Sequence, residues 1–197
     1  MRVAEIWRYP VKSLAGERLE RCTVAPDGIP GDRIAHVAIG ELIVTARARR
    51  GLLALRGGVD PEGEPTIDGL RWSDPRARDA IKAAILAEPM ELLHGAPLRI
   101  ERTSEGAFDV LPLHVVTTGA AAAHGIGELR RLRPNLVVET PSAELEASWV
   151  GRRLAIGEAV IEAVRLRPRC VVTTIDPDTG ERDATVLRQI ASRARAG

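Results

Sequence analysis

The opening stretch RVAEIWRYPVKSL alternates loosely between apolar and polar positions and is rich in β-formers, which predicts a strand running into a loop at Lys12 and Ser13. Pro10 lacks a ladder donor and suits a strand end or an edge. LERCTVAPDGIPGDR predicts a second short strand through Thr23 and Val24, followed by a connection rich in proline and glycine. HVAIGELIVTAR reads as a hairpin around Gly40 and Glu41, and GLLALRGGVD as another strand closed by glycines. These runs make the first half of the chain β-rich.

The clearest helical pattern follows in SDPRARDAIKAAILAEP. Ser73 or Asp74 serves as N-cap, Pro75 opens the first turn, Ile81, Ile85 and Leu86 are assigned to one face, and the helix ends before Pro89. APLRIER and VLPLHVVTTG then predict strands, GAAAAHGIGELRRL an alanine-rich helix interrupted by glycines, and PNLVVE a buried strand. Short β runs dominate ASWVGRRLAIGEAVIEAVRLRPRCVVTTI, and DATVLRQIASRARAG closes the chain as a helix. There is no internal repeat and no low-complexity linker. The expected fold class is mostly β (α+β), with many short strands closing into a barrel and a few peripheral helices.

Composition narrows the function. At 197 residues, 45% apolar and 28% charged, the chain has enough apolar content for a real core, in one domain or two small ones. The formal charge of +1 excludes a general nucleic-acid footprint, so anion binding must come from local clusters. No stretch reaches the length of a membrane span, and MRVAEIWRYP lacks the apolar core of a signal peptide. The expectation is a cytoplasmic protein with neither a membrane nor a nucleic-acid partner. Cys22 and Cys170 are far apart in sequence; a single disulfide is conceivable, and free thiols in a reducing compartment are the expectation. All but two of the 28 basic residues are arginine, whose fixed fork of donors suits phosphate and carboxylate groups.

Several catalytic patterns are absent. The histidines at 36, 94, 114 and 124 have no zinc spacing and read as ordinary core or surface residues. Neither a Walker loop nor GxGxxG occurs, and no nucleophile elbow surrounds Ser13, Thr117 or Thr118. Asp176, Asp178 and Gly180 imitate half of a calcium loop, but the distal glutamate is missing, and a hairpin turn accounts for them.

Within RPRCVVTTIDPDTG, Cys170 has two readings. A small buried hydrophobe explains it, as does a thiolate favoured by Arg167 and Arg169, the form that ligates metals and attacks electrophiles. Other polar residues sit on loops beside strands: Lys12 and Ser13, Arg33 in GDR, Thr117 and Thr118, Arg133 and Asn135 in RPN, and Arg169. Singly, each has a surface or capping explanation. Together with the thiol they suit an elongated, phosphate-bearing ligand whose far end carries a soft metal.

In order and spacing these fragments resemble the MOSC proteins. IWRYPVKSLAGERLERCTVAPDGIPGDR and VTAR are similar to the family's N-terminal β-barrel region, placed at 1–95, and LPLHVVTTGAAA, LRRLRPNLVVE, SWVGRRLAIGEAVIEAVRLRPRC and TTIDPDTG to the MOSC domain, placed at 96–197. The resemblance implies a molybdenum–molybdopterin cofactor (Mo cofactor) with Cys170 as the catalytic, metal-ligating thiol. Lys12, Ser13, Arg33, Thr117, Arg133, Asn135 and Arg169 would hold the cofactor. It further implies reduction of a small N-hydroxylated substrate with electrons from a separate partner, a flavin or iron–sulfur reductase, since two cysteines cannot hold a cluster. Two departures stand out. The family's glycine-rich strand pair after DPDTG is missing, which implies a C-terminally shortened domain, and Pro168 stands where relatives can carry a small hydroxyl residue. The other functions left open are a persulfide sulfur carrier or cofactor-holding module and a degenerate domain with a structural cysteine.

Overall fold

The computed structural model describes residues 1–87, 96–104, 106–142 and 144–193. Its strands are β1 (Val3–Arg8), β2 (Glu17–Leu19), β3 (Ala35–Ile39), β4 (Leu42–Val44), β5 (Gly57–Val59), β6 (Pro65–Ile67), β7 (Leu70–Arg71), β8 (Leu98–Arg102), β9 (Val115–Thr117), β10 (Leu136–Val138), β11 (Arg153–Ile156) and β12 (Ala159–Glu162). The helices are α1 (Pro75–Leu86), α2 (Thr118–Ala123), α3 (Glu144–Ser148) and α4 (Ala184–Arg193), so the class is α+β. Among the described residues the expected closed barrel is not found. The described strands form four separate sheets, ordered β2-β1-β10-β9, β4-β3-β8, β5-β6-β7 and β11-β12. Strands of two to six residues span too little to wrap into a barrel, and two expected strands have become 3-10 turns.

The four-stranded sheet crosses the chain. β10 pairs antiparallel with β1 and parallel with β9, and its three residues are buried, as PNLVVE predicts for a strand covered on both faces. The predicted hairpin at Gly40 joins β3 to β4, with Gly40 at φ +58°, a left-handed turn position. β3 feeds the main core, where Val37 and Ile39 meet Val11, Leu52, Ile81 and Ile85.

α1 begins as predicted. Asp74 caps it by accepting from the Arg76 amide at 2.8 Å, and Ile81 and Ile85, one turn apart, are buried. Leu86 corrects the predicted face: at 100° per residue it falls off the stripe of Ile81 and Ile85, and it is 55% exposed. Pro89, the expected stop, lies outside the described residues. Gly51 permits close packing against α1, since a Cβ there would sit 2.3 Å from the Ala84 carbonyl oxygen.

Other elements depart from the pattern. Thr23 and Val24 form no strand; β2 ends at Leu19, and the chain turns through reciprocal Ala25–Gly28 amide bonds. The first half of GLLALRGGVD is a 3-10 turn over Arg50–Ala54 that buries Leu52 and Leu53, and only Gly57–Val59 is extended. VLPLHVVTTG contributes only the three residues of β9, because Thr117 caps α2 by accepting from the Ala120 amide at 3.1 Å. CVVTTI is likewise a 3-10 turn, over Val171–Thr174. Thr173 and Thr174 donate to the carbonyls of Cys170 and Val171 at 2.7 and 2.6 Å, so their hydroxyls fold β-formers back on themselves. The DPDTG turn does form, with the Asp176 carboxylate accepting from the amides of Asp178 and Thr179, both at 3.0 Å. The last expected helical residues, 194–197, lie outside the described residues. Among the described residues no helix is long and apolar enough to cross a membrane.

Candidate cofactor site

Three loops converge because the sequence forces each through an unusual backbone turn. Four non-glycine residues among those described have positive φ, and three of them, Ser13 (72°), Arg33 (52°) and Arg133 (53°), line one cleft. Such conformations cost energy and persist only where surrounding contacts hold them, and they gather at functional sites. At the first loop, buried Val11 and Leu14 anchor the chain while the Lys12 amide donates to the Ala35 carbonyl at 2.8 Å, presenting Lys12 and Ser13. At the second, the Arg33 amide donates to Tyr9 at 2.8 Å, and the Arg33 guanidinium pairs with buried Asp32. At the third, Arg133 ends the 3-10 turn Leu129–Leu132 and stands directly before Pro134.

The cleft holds about 210 Å³, and six of the eight residues named from the sequence line it: Lys12, Ser13, Arg33, Arg133, Arg169 and Cys170. Cys170 is a half-buried free thiol, as is Cys22. Thr117 and Asn135 lie outside the lining and are fully buried. Thr117 donates to Glu146 at 2.9 Å and caps α2. Asn135 is a clamp behind the wall: its Oδ1 accepts from the His114 amide at 3.0 Å and from Arg33 at 3.4 Å, and its Nδ2 donates to the Trp7 carbonyl at 3.2 Å.

Residues that the sequence reading left out of the site complete it. Arg47, Arg131 and Arg167 bring the cations lining the cleft to seven, against a single lining carboxylate, Asp109. Asp109 accepts from Lys12 at 2.6 Å and lies 3.4 Å from both Arg47 and Arg167. Burial pushes its carboxyl up, but Lys12, Arg47 and Arg167 outweigh that and leave it below its ordinary value. Arg131 is neutralised by Asp176 at 2.7 Å. Arg133 and Arg169 have no carboxylate partner among the described residues. Burial lowers the pKa of both, that of Arg133 to about 10. A half-buried guanidinium without a salt bridge is costly until an anion reaches it.

His114 fixes the geometry of this wall. Its Nε2 lies 2.9 Å from Arg169, which can only donate, and its Nδ1 lies 3.2 Å from the Arg133 carbonyl, which can only accept. The ring is therefore neutral, with the proton on Nδ1. Burial, then Arg169 and Arg167, hold its pKa well below 6.5. One polar residue inside the apolar run LPLHVV was the available signal for it.

Fold and site together define an α+β protein with a strongly cationic cleft and one thiol on its wall. Residues 1–85 match the family model of the MOSC N-terminal beta barrel domain, and residues 120–197 that of the MOSC domain. The chain belongs to the MOSC family. It is 42% identical over 53 residues to mitochondrial amidoxime reducing component 2 of Homo sapiens and to that of Bos taurus, and 43% identical over 53 residues to that of Rattus norvegicus. Each match covers 27% of this chain and 15% of the relative.

The residues present fit a molybdenum–molybdopterin group by the chemistry of the donor set. The wall combines a thiol for a soft metal, unpaired cations for a phosphate and a hydroxyl at Ser13 for a pterin edge.

Proposed function

We propose that this chain holds a molybdenum–molybdopterin cofactor in the cationic cleft and acts as a reductase of small N-hydroxylated compounds, drawing electrons from a separate flavin or iron–sulfur reductase. The observation that carries the reading is the meeting of Lys12, Ser13, Arg33, Arg133, Arg169 and Cys170 on one cleft, although they come from loops far apart in sequence. Family membership and the chain's similarity over 53 residues to mitochondrial amidoxime reducing component 2 support the same direction.

When bound, the cofactor supplies the two-electron chemistry that converts an N–OH group, two electrons and two protons into N–H and water. The chain's own residues bind and orient. Arg133 and Arg169, which form no salt bridge with a carboxylate among the described residues, neutralise the anionic part of the cofactor. Asp109 ties Lys12 in place and keeps the cation cluster from flying apart before loading. Cys170 provides the sulfur donor, and the lining residues Val110 and Val172 give the cleft its apolar share.

Metal and pterin analysis of protein produced in a molybdate-fed host tests this reading. The expected result is stoichiometric molybdenum and pterin in the native chain and their loss in Cys170→Ser. Native protein free of both sinks the proposal, and full retention in Cys170→Ser removes the thiol from the metal site.

A further inference from the structure

A second, larger cavity of about 650 Å³ lies beyond the cleft and shares Arg131, Arg133 and Val172 with it as a common wall. We propose that this cavity binds a nucleoside monophosphate, with its phosphate held by Arg18 and Arg56 and its base laid against Trp7.

The charges on its wall divide into two groups. Arg130 is engaged by Glu128 and Asp178 at 2.8 and 2.6 Å, Arg131 by Asp176 at 2.7 Å, and Glu17 by Arg8 at 2.8 Å. These groups cancel one another. Arg18, on β2, and Arg56, next to the start of β5, have no carboxylate partner among the described residues, nor has Arg133. Two guanidinium forks without a carboxylate partner on one concavity match a phosphate dianion.

The uncharged groups point to an aromatic body on that phosphate. The indole N–H of Trp7 is tied to Glu5 at 2.7 Å, so the ring is fixed in orientation at the cavity wall. Arg133 lies 4.3 Å above the centre of the Tyr9 ring, in the wall that the two cavities share. Tyr9 is 2% exposed and its hydroxyl has no hydrogen-bond partner among the described residues. Burial pushes that hydroxyl to about 12, so it stays protonated and able to donate. Leu53, Val172 and Ile175 supply an apolar floor. The volume lies within the range of small-molecule sites.

Calorimetric titration of the full chain with adenosine monophosphate, adenosine and inorganic phosphate tests the assignment. The monophosphate is expected to bind at least about tenfold tighter than either fragment, a difference of about 1.4 kcal/mol. Arg18→Ala combined with Arg56→Ala is expected to remove that advantage, while Lys12→Ala in the neighbouring cleft leaves it unchanged. Neither Arg18 nor Arg56 lines the cleft, so this outcome is separate from that of the cofactor reading. No binding of the monophosphate overturns the proposal. So does affinity equal to that of phosphate or adenosine alone, or affinity unaffected by the double variant.

Discussion

Arginines on two faces of this molecule are treated in opposite ways. Around the small sheets, Arg71 meets Asp60 and Glu62 at 2.6 and 2.5 Å, Arg99 meets Glu101 at 2.6 Å, and Arg102 pairs with Glu64. There each charge has its answer within the chain, and solvent screens what remains. At the cleft, seven cations line a wall with one carboxylate, and neither Arg133 nor Arg169 forms a salt bridge with a carboxylate among the described residues. A chain of formal charge +1 therefore creates a strong local field by placing its acids elsewhere. Net charge alone excluded a general anion-binding surface and said nothing of this local one.

The sharpest way to break that contrast is to remove one arginine from each face. Arg133→Ala is expected to lower molybdenum and pterin occupancy at least about tenfold, the scale of a lost charge-assisted contact of about 1.5–3 kcal/mol, with the fold intact. Arg99→Ala is expected to change neither occupancy nor the denaturation midpoint, because its pair with Glu101 is exposed. Metal analysis beside a urea melt separates the two. Equal occupancy in both variants removes Arg133 from the cofactor's surroundings.

A second variant tests whether the wall behind the cations is a clamp. Asn135→Ala leaves the His114 amide and the Trp7 carbonyl without their partner inside the protein. An expected loss of about 2 kcal/mol in urea follows from stranding buried polar groups. A loss below about 0.5 kcal/mol would show that the three strands joined at Asn135 are held by other contacts.

What could be read in the sequence and what could not follow from the range of the forces. PNLVVE and the Asp74-capped helix were readable because a continuous apolar run and a cap act locally. CVVTTI misled because Thr173 and Thr174 spend their hydroxyls on carbonyls three residues back, which β-propensity does not register. The barrel misled because sheet closure depends on register between distant strands. In the site, motif residues on loops were found, whereas Arg47 and Asp109 join it only through long-range folding. Thr117 and Asn135 share motifs with cleft residues, yet capping and clamping hold their side chains behind the wall.

His114 gives the smallest effect and the finest test. Its pKa in the folded chain is lowered, first by burial and then by Arg169 and Arg167, and Arg33 also faces it with positive charge, while the Arg133 carbonyl favours the protonated ring. Above its ordinary value of 6.5 the ring is neutral folded and unfolded, so it adds no pH dependence. Below that value the unfolded chain takes up a proton that the native ring refuses, and stability falls as pH falls until the lowered native value is passed. One proton limits the slope to about 1.4 kcal/mol per pH unit. A protonated ring cannot accept from Arg169, so the guanidinium beside Cys170 keeps its anchor through that window and loses it only below the lowered native value. Urea melts of the native chain and of His114→Gln at pH 7 and pH 5 measure this share. The native chain is expected to lose more stability between the two, and parallel losses would mean that the ring carries its proton in the folded chain.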